Sequence, residues 1–198
     1  VFSDGFEDIV DLGVTLGTSE GMPAADVRPD GSRAAILLQG WDDNLYTYTR
    51  WRLVKAGPDG EIDFDVDIPL KCEIDYHCVT GFVSNKAAVQ IMPDGGAAVA
   101  FMGENLELGS QASVLRYGPT GELLWNTPIE SIRARSHIAG FDVVPADGRI
   151  GLATLEFGPN EDTPGIFCGD VGITFLGSVH VELDAFGAII RENEYRTS

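Results

Sequence analysis

Val89-Gln-Ile-Met-Pro-Asp-Gly-Gly-Ala-Ala-Val-Ala-Phe-Met-Gly103 passes from an apolar strand through a Pro-Asp-Gly turn into a second apolar strand. After a loop, Ser113-Val-Leu-Arg-Tyr-Gly-Pro-Thr-Gly-Glu-Leu-Leu-Trp125 writes a second hairpin that turns at Gly121. Pro-Asp-Gly turns for a physical reason: Pro fixes φ, Asp bonds forward to the backbone, and Gly accepts a positive φ. The same order of landmarks recurs on both sides of this stretch. The turn prolines Pro29, Pro93 and Pro145 stand 64 and 52 residues apart, and the glycines of the closing hairpins, Gly60, Gly121 and Gly187, stand 61 and 66 apart. Two independent landmarks recurring in the same order make this a repeat protein, and the short alternating strands make it all-β.

The first repeat spans residues 25–70. Its turn is Arg28-Pro-Asp-Gly31, its return strand Ala34-Ala-Ile-Leu-Leu38, and its tip the polar Gly40-Trp-Asp-Asp-Asn44. Tyr46 to Val54 alternates polar with β-branched and aromatic residues, as a strand does. After Pro58-Asp-Gly60, the segment Glu61-Ile-Asp-Phe-Asp-Val-Asp-Ile68 alternates strictly, so Ile62, Phe64, Val66 and Ile68 share one face and Asp63, Asp65 and Asp67 the other. Residues 71–88 form a linker holding Cys72 and Cys78, and the second repeat spans 89–130. Arg133-Ala-Arg135-Ser-His137 is expected to be a connector. The third repeat spans 139–198, with its turn at Val144-Pro-Ala-Asp-Gly148, a longer loop from Gly158 to Asp170, and a final hairpin closing at Gly187. Residues 1–24 supply a lead-in, of which Asp4 to Gly13 has the pattern of a single orphan strand.

Four short strands per repeat, arranged as two hairpins with a variable loop, is the unit of a propeller blade. The pattern resembles the repeats of bacterial secreted β-propellers, in which a strand ending in Pro-Asp-Gly leads to an apolar strand and a later hairpin ends near Trp. The resemblance covers residues 25–195 and implies about three four-stranded antiparallel blades. It has departures: only the second copy carries Gly-Glu-Leu-Leu-Trp125, and the third carries an insertion. Propellers close with about four to eight blades. Three blades and an orphan strand therefore imply pairing with another copy, an excerpt of a longer protein, or an open packing of sheets, and a β-sandwich is the architectural alternative.

The chain of 198 residues is 44% apolar, enough to fill a core, and carries 31 acidic against 13 basic side chains for a formal charge of −18. That balance argues against nucleic acid and anionic membrane surfaces, which are bound through Lys and Arg. It suits solubility, cation binding or a basic protein partner, with a well-solvated surface as the plain expectation. The partner expected is a protein or a second copy of the chain. No apolar run approaches the roughly 20 residues that span a bilayer. The start at Val1, without methionine, is compatible with a processed, exported protein, and a Cys72 to Cys78 disulfide would suit a periplasmic or extracellular setting. Cys168 is left over, and a long-range pairing with one of the other two is the rival.

Candidate chemistry is sparse. Gly17-Thr-Ser-Glu-Gly21 matches a nucleophile elbow, but Met22-Pro23 follows where a helix is required. The row Asp63, Asp65 and Asp67 could approach Ca2+, although it lacks the glycine and closing Glu of a calcium loop, so a solvated strand face is the plainer expectation. His77 lies between Cys72 and Cys78, a spacing wide for zinc. No dinucleotide, phosphate-loop or zinc-protease motif occurs. These residues imply no cofactor and no catalytic set. The binding-loop candidates are Trp41, Asp42, Asp43 and Tyr46 at one tip and Asn160, Glu161 and Asp162 at another, where exposed aromatics could stack on a sugar or anchor a protein. The expectation is a non-catalytic interaction or scaffold module serving as an exported accessory subunit of a larger complex. A propeller-based hydrolase or lyase and a carbohydrate-binding module are the alternatives.

Overall fold

The computed structural model describes residues 20–42, 47–69, 87–102, 112–132, 136–159 and 173–197. They form twelve strands in three four-stranded antiparallel sheets. The first sheet holds β1 (Glu20–Val27), β2 (Arg33–Asp42), β3 (Thr47–Ala56) and β4 (Ile62–Asp67), side by side in chain order. The second holds β5 (Ala87–Ile91), β6 (Ala97–Met102), β7 (Ala112–Tyr117) and β8 (Leu123–Pro128), and the third β9 (Ser136–Val143), β10 (Ile150–Pro159), β11 (Ile173–Leu183) and β12 (Ile189–Arg196), each again in chain order. The strands begin slightly upstream of the repeat starts expected from alternation, at Glu20, Ala87 and Ser136 rather than 25, 89 and 139. Pro23 sits inside β1, where the register with β2 slips between Gly21 and Ala24, and Ser136 and His137, expected in a connector, pair with Glu156 and Leu155.

The hairpin turns share one construction. In the first, the N–H of Gly31 donates to the carbonyl of Arg28 and that of Arg28 to the carbonyl of Ser32, while Gly31 sits at φ 92°. This is a tight turn followed by a left-handed residue, a connection that matches strand twist and that glycine fills without steric cost. The turns at Gly60, Gly95, Gly121 and Gly187 repeat both backbone bonds, and the turn at Gly148 is one residue longer because Ala146 is inserted. The aspartates brace the same corners: Asp30, Asp59, Asp94, Asp147 and Asp184 each accept an N–H from two residues on.

These corners carry an acid sensitivity. The Ser32 N–H holds the Asp30 carboxyl below the usual carboxylate range, the Thr120 hydroxyl does the same for Glu122, and the Arg149 guanidinium for Asp147. A folded pKa below the unfolded one contributes stability above the unfolded value, about 4, that is lost as pH falls through the folded value. Thermal midpoints are expected to be flat from neutrality to about pH 5 and to fall below it. Asp30→Asn/Glu122→Gln/Asp147→Asn should flatten that acid limb, and an unchanged slope would refute the assignment.

The sheets stack face to face. Ala34, Ile36, Trp51, Leu53, Phe64 and Ile68 of the first meet Val89, Ile91, Val99, Phe101, Leu115 and Tyr117 of the second in one core. Met92, Ala98, Ala100, Met102 and Val114 meet Ile150, Leu152, Val179, Val181 and Leu183 of the third in another. The middle sheet thus buries both faces, and all six residues of β6 and of β7 are buried. Trp51 meets Phe101 edge to face at 4.6 Å, and burial raises the Tyr117 phenol pKa, since a charged phenolate would be stranded in the core. The outer strand β4 behaves as its alternation requires, with Phe64 and Ile68 buried and Val66 half-buried, but Ile62 is 45% exposed at the start of the strand.

The first strands of successive sheets are neighbours, β1 beside β5 and β5 beside β9. The first pair of sheets is also bonded there, because the Ile91 N–H donates to Asp26 Oδ2 at 2.7 Å and Arg28 Nη2 donates to the Ile91 carbonyl. Sheets that share a line of first strands and stack in sequence form an arc of propeller-like blades. A two-layer sandwich is set aside, since a sandwich has no sheet covered on both faces.

Candidate functional site

The repeat lets each blade-to-blade contact be compared position by position. Four and six residues after the closing-turn glycine, the first sheet has Phe64 and Val66, the second Trp125 and Thr127, and the third Arg191 and Asn193. In the two stacked pairs these positions seat the closing turn of the following blade. A Cβ added to Gly121 would lie 2.8 Å from Phe64 Cβ, and one added to Gly187 2.7 Å from Trp125 Cδ2, so a bare glycine is required at both. Hydrogen bonds lock the second seat, with Trp125 Nε1 donating to the Ala185 carbonyl at 3.1 Å and Thr127 Oγ1 to the Gly187 carbonyl at 2.7 Å.

The third sheet presents the corresponding face without a described sheet upon it, and its chemistry changes. Where the earlier sheets carry Leu53 and Val114, seven residues before the closing glycine, the third carries His180. Ala34 and Ala98 become Gly151, and Ile36 and Ala100 become Ala153. The result is an open depression of about 400 Å³, floored by Gly151 and Ala153 and walled by His180, Glu182, Arg191 and Asn193. The register places Glu182 opposite Arg191 and His180 opposite Asn193.

The polar groups divide into engaged and open ones. Arg149 bridges Glu182 and Asp147, the latter at 2.7 Å, and these carboxylates hold its guanidinium pKa above the ordinary value. The His180 ring stands edge to face with Tyr195 at 5.6 Å. The side chains of Arg191 and Asn193 make no hydrogen bond or ion pair with the described residues. A guanidinium fork beside a carboxamide, over a floor with almost no side chain, presents donors to carbonyl or carboxylate oxygens. It contains no nucleophile held by a base. Among the described residues no three His, Cys, Asp or Glu side chains gather as metal ligands.

Most residues singled out in the sequence fall elsewhere. Trp41 and Asp42 are the last residues of β2, paired in register with Tyr48 and Thr47. Asp43, Tyr46, Asn160, Glu161, Asp162, the cysteines Cys72, Cys78 and Cys168, His77, Ser19 and the segment from Asp4 to Gly13 expected as an orphan strand lie outside the described residues. The Asp63, Asp65 and Asp67 row is exposed and laced with ion pairs, Lys55 to Asp63 and Arg52 to Asp65. Opposite-charge pairs across neighbouring strands stabilise a sheet modestly, and they engage the Asp63 and Asp65 carboxylates on which a cation would draw. Arg191 and Asn193 were missed as site residues, although their signal was present: an Arg stands where two earlier repeats carry Phe and Trp.

No known protein family matches this sequence, and neither does any curated protein. Among solved structures, the chain is similar to two single-substitution variants of the Synechocystis apocarotenoid oxygenase, a β-propeller enzyme. One matches at 14% identity with a TM-score of 0.52, over 93% of this chain and 41% of the other. The second matches at 14% identity with a TM-score of 0.50, over 92% and 40%. The chain thus spans about two fifths of the length of the propellers it matches. At such identity the likeness is one of fold, and it agrees with the radial stacking: the described residues are three consecutive blades of β-propeller type.

Proposed function

We propose that this chain acts as a three-blade arc of a propeller-fold enzyme, its stacked sheets forming the wall of a ring whose reaction site lies on the axis. The observation that carries this reading is the match of nearly the whole arc to two fifths of an oxygenase propeller. The stacking faces of the described blades supply structure, and the donor face of the third supplies the joint to what completes the ring. The substrate class is borrowed from the similar enzyme, an apocarotenoid with molecular oxygen. The test is oxygen uptake together with loss of polyene absorbance when an apocarotenoid is added to the assembled ring. Coupled uptake and bleaching support the reading; a fully assembled ring that produces neither overturns it.

The second reading is an exported interaction or scaffold module. Its support is the open face itself, which offers unengaged donors. An assembled ring that binds a protein partner while leaving apocarotenoid untouched would favour it.

A further inference from the structure

The two ends of the arc are complementary. Gly121 and Gly187 are buried against the preceding sheet, whereas Gly60, in an identically built turn, is exposed and would meet nothing within 4 Å among the described residues if given a Cβ. Among the described residues, the closing turn of the first sheet is therefore a plug without a seat, and at the other end Arg191 and Asn193 form a seat without a plug.

We propose that the open face of the third sheet receives the Gly57–Glu61 turn of a second copy of this chain, joining arcs head to tail. Three observations converge on that occupant. The contact would continue the joint already made twice, between Gly121 and Phe64 and between Gly187 and Trp125. The donors match its acceptors: Trp125 Nε1 and Thr127 Oγ1 bond the carbonyls of Ala185 and Gly187, and Arg191 and Asn193, at the same positions of the third sheet, would face the equivalent carbonyls of Pro58 and Gly60. The charges are compatible too: the free turn carries the exposed Asp59 and Glu61, and Arg191 is the seat's unengaged charge among the described residues, the Glu182 carboxylate being bridged by Arg149. Replacing the aromatic of the earlier seats with Arg suits a joint between molecules, since a charged seat remains soluble when empty and steers an acidic partner toward it. A head-to-tail contact of this kind is heterologous, so it closes into a ring or runs on.

The proposal rests on the arc geometry and not on oxygenase activity, so loss of one leaves the other standing. Its test is the solution mass by light scattering across a concentration series, for the wild-type chain, Arg191→Glu, Glu61→Lys and the double swap. Both side chains are exposed, so each variant is expected to keep the wild-type circular dichroism. The wild-type chain should reach at least twice its 21.3 kDa mass. Each single substitution should weaken association by about tenfold or more, and the swap should restore much of it. A monomer at every concentration up to about 100 μM, well above the micromolar range of specific interfaces, overturns the proposal and leaves the seat to further blades of the same polypeptide. An assembly indifferent to both single substitutions overturns it equally.

Discussion

Gly187→Ala is expected to destabilise the fold by about 3 kcal/mol, and Gly60→Ala by only about 1 kcal/mol, although both glycines sit in the same turn at φ 86° and 83°. The left-handed backbone conformation is common to both, and a Cβ there costs about 1 kcal/mol. The difference lies in what the Cβ meets. At Gly187 it would press on the Trp125 ring at 2.7 Å and the Thr127 hydroxyl at 2.9 Å, and both are held by hydrogen bonds to the same turn, so relief requires the blades to part. Overpacking of that kind adds about 1–3 kcal/mol. Gly121→Ala should resemble Gly187→Ala, because its Cβ would meet the base of Phe64 rather than a flexible tip. Urea unfolding at protein concentrations low enough to keep the chain monomeric checks the series, with midpoint shifts of about 2–4 °C per kcal/mol expected in parallel thermal scans. Equal losses at all three positions would mean that the closing turns do not hold the blades together.

That series also marks how far the sequence could be read. The turns were legible because their chemistry is local: Pro29-Asp-Gly31 and Pro93-Asp-Gly95 dictate the corner whatever surrounds them, and the strict alternation of Ile62 to Ile68 dictates a strand with one wet face. Sheet membership followed from the order of the turns. The faces of β6 were not legible in the same way. Ala97 to Met102 is apolar throughout, which fits a strand buried on both sides but does not say what lies against either. Only stacking reveals that Val99 belongs to one core and Ala100 to the other. The candidate face escaped notice for a related reason. Trp41 and Tyr46 stand out in the sequence as aromatics near a turn, whereas Arg191 and Asn193 resemble any polar residues on an outer strand until the repeats are aligned by their closing glycines. A departure from a repeat carries information only after the structural role of the repeated position is known.

The second large effect is an asymmetry within one buried ion pair. Asp94→Asn is expected to cost about 2 kcal/mol, and Arg116→Met less than about 1 kcal/mol. Arg116 lies in β7 with its side chain 4% exposed, donating to the Ala97 carbonyl at 3.3 Å, to the Tyr117 carbonyl, and to both carboxylate oxygens of Asp94. Gly96 makes room for it, since a Cβ there would stand 2.5 Å from Arg116 Nη1. Asp94 is different, with 53% of its side chain exposed. Neutralising Asp94 leaves a guanidinium among backbone carbonyls with only the exposed Glu122 carboxylate nearby as counter-charge, and most of the desolvation of that cation is no longer offset. The asparagine keeps the oxygen that accepts the Gly96 N–H, so the turn itself is preserved and the loss reports on charge. Replacing Arg116 with Met instead removes the buried charge, fills similar volume with apolar atoms, and leaves a carboxylate that water can reach. It follows that the double variant should be no less stable than Arg116→Met alone, a coupling that a double-mutant cycle in urea reads directly. If Arg116→Met proves as damaging as Asp94→Asn, the guanidinium is contributing through its carbonyl bonds between β6 and β7 rather than being tolerated because of its partner, and the pair is then a structural tie of the middle blade.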